Sequence, residues 1–158
     1  MASLILLGGF MKVISLKPQE LKKYLVDPEM LHKAKRPCAL IIKLIYRGKR
    51  LDFAVPFRSN ISPSAPTEQY FPLPPRGTTK DGHRHGLHYI KMFPVDKTKV
   101  NKFHMDDMYY KIIYAILNRN EKRIIKDCQD YLRRYENGSR PEYSTDIDLL
   151  IQILEENT

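Results

Sequence analysis

The sequence predicts an α+β fold, with an antiparallel sheet in its first two-thirds and helices in its last third. Three observations carry this expectation. Residues 38–46 and 51–55 alternate at period two, as half-buried strands do. Arg47-Gly48-Lys49 between them is a tight turn, with Gly48 free to take positive φ, so the two strands pair as an antiparallel hairpin. Beyond residue 104, apolar residues recur at i, i+3 and i+4, the helical period.

The elements follow in order. Met11-Lys-Val-Ile-Ser opens a short strand over Lys12–Leu16, and residues 1–10 read as an N-terminal extension. Leu4-Ile-Leu-Leu7 falls far short of the ~20 apolar residues that span a bilayer, and it lacks the basic region of a signal peptide. Pro18 suits the first turn of a helix whose stripe is Leu21, Tyr24 and Leu25, ended by Asp27-Pro28. His32-Lys-Ala-Lys-Arg36 is a basic link, and Pro37 biases Arg36 away from helix. In the strand 38–46, Cys38, Leu40, Ile42, Leu44 and Tyr46 share one face, and Ala39, Ile41, Lys43 and Ile45 share the other. Leu51, Phe53 and Val55 alternate with Asp52 and Ala54 until Pro56, which has no N–H to donate, ends the ladder. Residues 56–86 form a long basic connection holding six of the eleven prolines, with one short strand around Gln69–Phe71. His88–Val95 resumes as strand. Met105, Met108, Tyr109, Ile112, Ile113, Ile116 and Leu117 form the core stripe of a first long helix, with Tyr110, Lys111 and Tyr114 on its flank. Ile124, Ile125, Cys128, Leu132 and Tyr135 mark a second, stopped by Gly138 and Pro141. Thr145 caps a third, docked by Ile147, Leu150, Ile151 and Leu154. The 158 residues suffice for a single domain with its own core.

Charge narrows the function. The chain carries 27 Lys and Arg against 18 Asp and Glu. Five of those acids (Glu142, Asp146, Asp148, Glu155, Glu156) lie beyond Arg140, where no base follows; residues 1–141 keep all 27 bases against 13 acids, a net +14. Such a surface suits a polyanion, because neutralising phosphates releases counterions. Nucleic acid is the expected partner. No basic amphipathic helix with a bulky apolar face argues for a membrane surface. Cys38 and Cys128 have no CxxC spacing and read as reduced core residues of a cytoplasmic protein.

At the end of the strand 51–55 the polar residues Arg58, Ser59 and Asn60 bring a fixed charge, a hydroxyl and an amide to one corner. That corner is either an anion-handling site or a solvated exit from the strand. His83-Arg-His85-Gly-Leu-His88 suggests a metal, but zinc sites recruit Cys or carboxylate as well, and Arg76, Arg84 and Lys91 would repel a cation. These histidines therefore read as phosphate contacts, acid–base groups or idle loop residues, and no metal site or cofactor is expected. GxxxxGK[ST], GxSxG and HExxH are all absent, and no paired carboxylates suggest two-metal chemistry. Metal-free RNA cleavage needs less: a group to activate the 2′-OH, cations and hydroxyls around the phosphorane, and an acid for the 5′-oxygen. Ser59, Arg58, the link 32–36 and a histidine are the right types. A non-catalytic RNA-binding module would use the same groove and charge without turnover.

Several stretches resemble the ToxN/AbiQ endoribonuclease toxins of bacterial type III toxin–antitoxin systems, including their CptN-like branch. They are Met11-Lys-Val-Ile-Ser; Arg36-Pro-Cys-Ala-Leu-Ile-Ile-Lys-Leu-Ile-Tyr-Arg-Gly-Lys; Phe53-Ala-Val-Pro-Phe-Arg-Ser-Asn; Gly86-Leu-His-Tyr-Ile-Lys-Met-Phe-Pro-Val; and Tyr110-Lys111. The likeness runs over residues 11–117, and the last two helices match in kind only. It implies a strongly twisted antiparallel sheet with an SH3-barrel-like core surrounded by helices. It implies a metal-independent, sequence-specific endoribonuclease that acts on cellular or phage mRNA and leaves 2′,3′-cyclic phosphates. It also implies a small pseudoknot-like RNA antitoxin, cut from a repeat precursor, held in a closed ring of two or three copies of each partner. Ser59 matches the family's serine. Arg58 stands where the family has Thr or Ser, and Ile61 stands where it has a lysine, so Arg58 or a loop histidine would supply that cation. A second family lysine falls at Lys35 or Arg36. His88 replaces a non-titrating residue and would be a new acid or base. The catalytic set so implied is Ser59, Arg58, Lys35 and His88. Lys33, Arg36, Arg47, Lys49, Asn60, Arg76, His83, Arg84, His85, Tyr110 and Lys111 would bind RNA.

Overall fold

The computed structural model describes residues 11–104 and 107–157. Seven strands and four α-helices follow in order among them. They are β1 (Lys12–Leu16), α1 (Pro18–Tyr24), β2 (Cys38–Tyr46), β3 (Lys49–Ile61), β4 (Tyr70–Leu73), β5 (Arg84–His88), β6 (Phe93–Val95), β7 (Val100–Lys102), α2 (Met108–Arg119), α3 (Glu121–Glu136) and α4 (Ile147–Glu156). Every pairing is antiparallel. The order is β4-β5-β3-β2-β1-β7, with β6 laid against β3. The expected α+β fold is thus present, as an open sheet with β4 and β7 at its edges and helices around it. Residues 1–10, expected to be an extension, and Met105, expected in a helix stripe, lie outside the described residues.

β3 is the spine. It pairs with β2 over Lys49–Pro56, with β6 over Asp52–Ala54, and with β5 over Phe57–Ile61. Pro56 therefore does not end the strand, contrary to expectation. The pairing with β6 stops at Ala54 and the pairing with β5 starts at Phe57, so the missing N–H falls where β3 changes partners. The next N–H, of Phe57, donates to the Pro37 carbonyl at 3.0 Å. The connection 56–86 is correspondingly shorter than expected, because β3, β4 and β5 consume much of it.

The face assignment in β2 also needs correction. A bulge between Ile41 and Leu44 puts Lys43 at φ 60°, with its N–H donating to Asp52 Oδ1 at 3.0 Å. The extra residue moves Leu44 and Tyr46 onto the face of Ala39 and Ile41, and Ile42 turns out to solvent, 46% exposed. Past the bulge Gln129 of α3 serves as a strand partner: its side-chain amide accepts from Ile45 N–H at 2.9 Å and donates to Ile45 O at 2.8 Å.

Two cores flank the sheet. On one face Ile41, Phe53, Val55 and Leu87 pack with Ile113, Leu117, Ile124, Cys128 and Leu132 of α2 and α3. On the other, Ile14, Leu40, Ala54 and Phe93 pack with Leu21 and Tyr24 of α1 and Leu150 of α4. Each buried Val, Leu, Ile or Phe among them contributes about 1.5–3 kcal/mol by leaving water. Helix α2 is rotated from its expected stripe: Tyr110, Ile113 and Leu117 are buried, while Met108 and Ile112 are exposed. The span 88–95 is not one strand, because a 3₁₀ turn over Tyr89–Lys91 separates β5 from β6. Thr145 is not the cap of α4. Asp146 holds that position, accepting from Leu149 N–H, while the buried Thr145 hydroxyl donates to the Met92 carbonyl. No helix among the described residues is long and apolar enough to cross a membrane.

Candidate active site

After Pro56, alternation along β3 sends Phe57 and Ser59 to one side and Arg58 to the other. Ser59 lines a cleft of about 520 Å³. Lys33, Lys35 and Arg36 reach it from the basic link, Arg76 and Thr78 from the β4–β5 loop, His85 from β5, Phe103 from beyond β7 and Tyr110 from α2. Among the described residues that line it, four are cationic and none is a carboxylate.

Two of the cations, Arg36 and Arg76, are held in place. Arg36 Nη1 donates to the Phe57 carbonyl at 3.0 Å, tying the basic link to β3 beside Ser59. Its Nε is buried without a partner among the described residues, and burial lowers its pKa from the ordinary arginine value. Arg76 Nη1 donates to the Tyr110 hydroxyl at 2.8 Å, and its guanidinium lies 5.1 and 5.0 Å from the ring centroids of Tyr109 and Tyr110. The N-cap carboxylate of Asp107 accepts from Tyr110 N–H, which fixes the start of α2 under this cluster. Burial lowers the pKa of His85 below the ordinary histidine value. Its Nδ1 faces the Pro74 carbonyl at 3.0 Å and touches the Tyr109 hydroxyl, which itself donates to that carbonyl at 2.8 Å. The assignment that satisfies all three puts the proton on Nδ1 and leaves Nε2 bare.

Arg58 and His88 line a different cleft, of about 590 Å³, on the other side of β3. Arg58 Nη1 lies 3.5 Å from His88 Nδ1. His88 is 7% exposed, and burial, then Arg58, then Lys91 push its pKa down to about 3. It is therefore neutral at physiological pH. Asn60 lines both clefts. β5 separates the histidines too, since His85 lines the Ser59 cleft and His88 the other; no group of three or more His, Cys, Asp or Glu suited to a metal occurs among the described residues.

The remaining expected contacts scatter. Arg47 pairs with Asp148 at 2.9 Å and Lys49 with Glu155 at 3.2 Å, so α4 neutralises the hairpin end. His83 Nδ1 lies 3.5 Å from the Asn60 carbonyl, and Arg84 is exposed on β5 opposite Ile61. Lys111 belongs to a third cleft with Lys12, Lys97, Lys102 and His104. Ile61 is 2% exposed in the core, so its position offers no cation. Thr78 and Phe103 of the Ser59 cleft, and Lys12, Lys97 and Lys102 of the third cleft, were not anticipated. No sequence signal marked Thr78 or Phe103, whereas the net charge left room for more phosphate contacts.

No family model matches the chain, and no curated protein does. Solved structures do. The chain is similar to AbiQ, a lactococcal anti-phage endoribonuclease of a type III toxin–antitoxin system, with TM-score 0.70 and 12% identity over 94% of this chain and 98% of that one. It is similar, with TM-score 0.68 and 16% identity over 94% and 98%, to a structure from a bacterial type III system whose toxin is selectively inhibited by a non-coding RNA pseudoknot. A third, from a bacterial antiviral system regulated by a processed non-coding RNA, gives TM-score 0.67 and 14% identity over 92% and 98%. At these identities the likeness is one of fold, and the fold is the one that the sequence resemblance implied.

Proposed function

We propose that this protein is the endoribonuclease toxin of a type III toxin–antitoxin system, neutralised in the cytoplasm by a small structured RNA. The observation that carries the reading is the Ser59 cleft: a strand-borne hydroxyl among Lys33, Lys35, Arg36 and Arg76, with no carboxylate among the described residues that line it. It sits on a fold shared with a type III endoribonuclease. A dianionic phosphorane is what such a cleft stabilises, by fixed cations and hydroxyl donors already in place before reaction.

The chemistry is transesterification without a metal. Bare His85 Nε2 takes the proton of the 2′-OH. The 2′-oxygen bonds to phosphorus as the P–O5′ bond breaks, with the Ser59 hydroxyl and the Arg36 and Arg76 guanidiniums on the non-bridging oxygens. The Lys35 ammonium protonates the departing 5′-oxygen. The products are a 2′,3′-cyclic phosphate and a 5′-hydroxyl. Arg58 and His88 face the neighbouring cleft, and neither is given a step. The inhibitor RNA is a pseudoknot cut from a repeat precursor by the same site, in a closed ring of two or three copies of each, and the targets are cellular or phage mRNAs.

The test compares the chain with Ser59→Ala. The unaltered protein, expressed alone, arrests growth, and its cleavage of RNA persists in excess chelator with cyclic-phosphate ends. Ser59→Ala folds, still binds RNA and is harmless. A folded Ser59→Ala protein that still cleaves would overturn the assignment, and an unaltered protein that binds RNA without ever cutting it would leave a binding module.

A further inference from the structure

We propose that the cleft behind Ser59 is a base-recognition pocket: it takes one unpaired nucleobase of the bound RNA, guanine by preference, stacked on Tyr143 and read by Arg58. This rests on the preceding reading insofar as RNA is the ligand.

Four observations carry it. First, Tyr143 is 64% exposed at the rim of this cleft, at φ 66°. A bulky residue in the left-handed region is a true outlier, and the neighbouring contacts over-determine it. Ser144 N–H and its hydroxyl both reach the Pro141 carbonyl, at 3.2 and 2.6 Å, and Thr145 N–H donates to the Ile90 carbonyl at 2.9 Å. The turn is thus fixed on both sides, and what it presents to solvent is an aromatic ring.

Second, Arg58 is half-buried in the same cleft with only one nitrogen engaged, and by a neutral partner. Because His88 is neutral and turns Nδ1 to a guanidinium, its proton sits on Nε2. The pair therefore keeps the full positive charge of Arg58, with further donors that have no protein partner among the described residues. A guanidinium fork of this kind matches the O6 and N7 acceptors of guanine.

Third, the cleft is balanced in charge, unlike its neighbour. Lys91 is spent on Glu29, at 2.8 Å, and Glu142 accompanies Arg58. Balance disfavours a phosphate and suits a neutral base. Fourth, Asn60 lines both clefts, so a strand whose phosphate lies at Ser59 has a neighbouring nucleotide within reach of Arg58. One strand would then hold the scissile phosphate on one face and the base that selects it on the other.

The test uses four uridine-rich RNA octamers that differ only in one central base, labelled with fluorescein, and the Ser59→Ala protein so that nothing is cut. Guanine is expected to bind about tenfold more tightly than the other three, within the range of a bidentate arginine–guanine pair. Arg58→Ala and Tyr143→Gly each bring the four octamers within about twofold. Lys35→Ala weakens all four alike and lowers the salt slope by about one. Tyr143→Gly also relieves the positive φ, so its thermal midpoint rises while discrimination falls, a combination that a purely structural tyrosine would not give. Discrimination that survives both substitutions overturns the pocket and leaves the Ser59 cleft untouched, as does equal binding of all four octamers by the parent. Failure to bind any octamer overturns the RNA reading itself, and the pocket with it.

Discussion

His88 should make the fold acid-sensitive well above the range where carboxylates titrate. Its imidazole is 7% exposed, faces the Arg58 guanidinium at 3.5 Å and has its pKa pushed down to about 3. In the unfolded chain it returns to about 6.5. The native state therefore prefers the neutral ring, and between these values the unfolded chain binds a proton that the native protein does not. Stability is full above about pH 6.5 and falls as pH drops through the window, by about 1.4 kcal/mol per pH unit. By pH 5 the loss is about 2 kcal/mol, and any native pKa below about 4 gives the same figure, since the unfolded value then sets it. His85, also lowered by burial, adds a loss of the same sign. The assay is urea unfolding followed by circular dichroism at pH 7.5 and pH 5, on the parent and on His88→Gln. The difference of the two differences cancels His85 and the carboxylates. Parent and variant should differ by about 2 kcal/mol in their loss between the two pH values. Equal losses would mean that His88 already carries a proton at pH 5, and the argument that Arg58 keeps a neutral partner would fail.

Further outcomes follow from particular contacts. A Cβ at Gly86 would lie 2.2 Å from the Phe71 carbonyl oxygen and 3.1 Å from its carbon, so Gly86→Ala must part β4 from β5. It should lower stability by about 1–3 kcal/mol, read as a lower thermal midpoint, and a neutral result would contradict the pairing. Tyr110→Phe removes the hydroxyl that Arg76 donates to but keeps both rings under the guanidinium; RNA cleavage should fall about tenfold with little change in midpoint, as for other groups that aim a cation. Asp148 accepts from Tyr46, Arg47 and Arg140 at 2.8–2.9 Å but is partly exposed. Asp148→Asn should cost under about 1 kcal/mol, and the cost should shrink as salt is added in the same unfolding assay.

The hairpin was legible because period-two alternation and a Gly turn are local signals, as were the helices on either side of Gly138 and Pro141, although the last begins at Asp146 and not at Thr145. What escaped depends on partners distant in sequence. Pro56 is tolerated only because β6 and β5 divide β3 between them, and the bulge at Lys43 needs Asp52 across the hairpin to receive its N–H. β7, three residues long, carries too short a pattern to read. The site divides the same way. Ser59, Lys35, Arg36 and Arg76 are of the right types, and the fold brings them to one cleft from three segments. The separation of Arg58 from Ser59 was within reach, because adjacent residues of a strand point to opposite faces. Expecting the strand to stop at Pro56 hid it.

That same alternation bears on how cleavage and selection are linked. In a loop, neighbouring residues can converge on one atom, and a serine and an arginine side by side would serve one step. In a strand paired through Ile61 they cannot, and the pairing of Phe57 with Leu87 and of Arg58 with Gly86 holds the geometry. On the proposed mechanism the cation for Ser59 must then come from elsewhere, and with Ile61 in the core the candidates are Arg36, tied to the carbonyl of Phe57, and Arg76, seated on Tyr110. Each depends on a different element, so the cleft is complete only when the basic link, the β4–β5 loop and α2 are all docked on β3. A change that loosens any of these elements should therefore depress cleavage before it unfolds the core. Arg58, free of that duty, is left to face the second cleft.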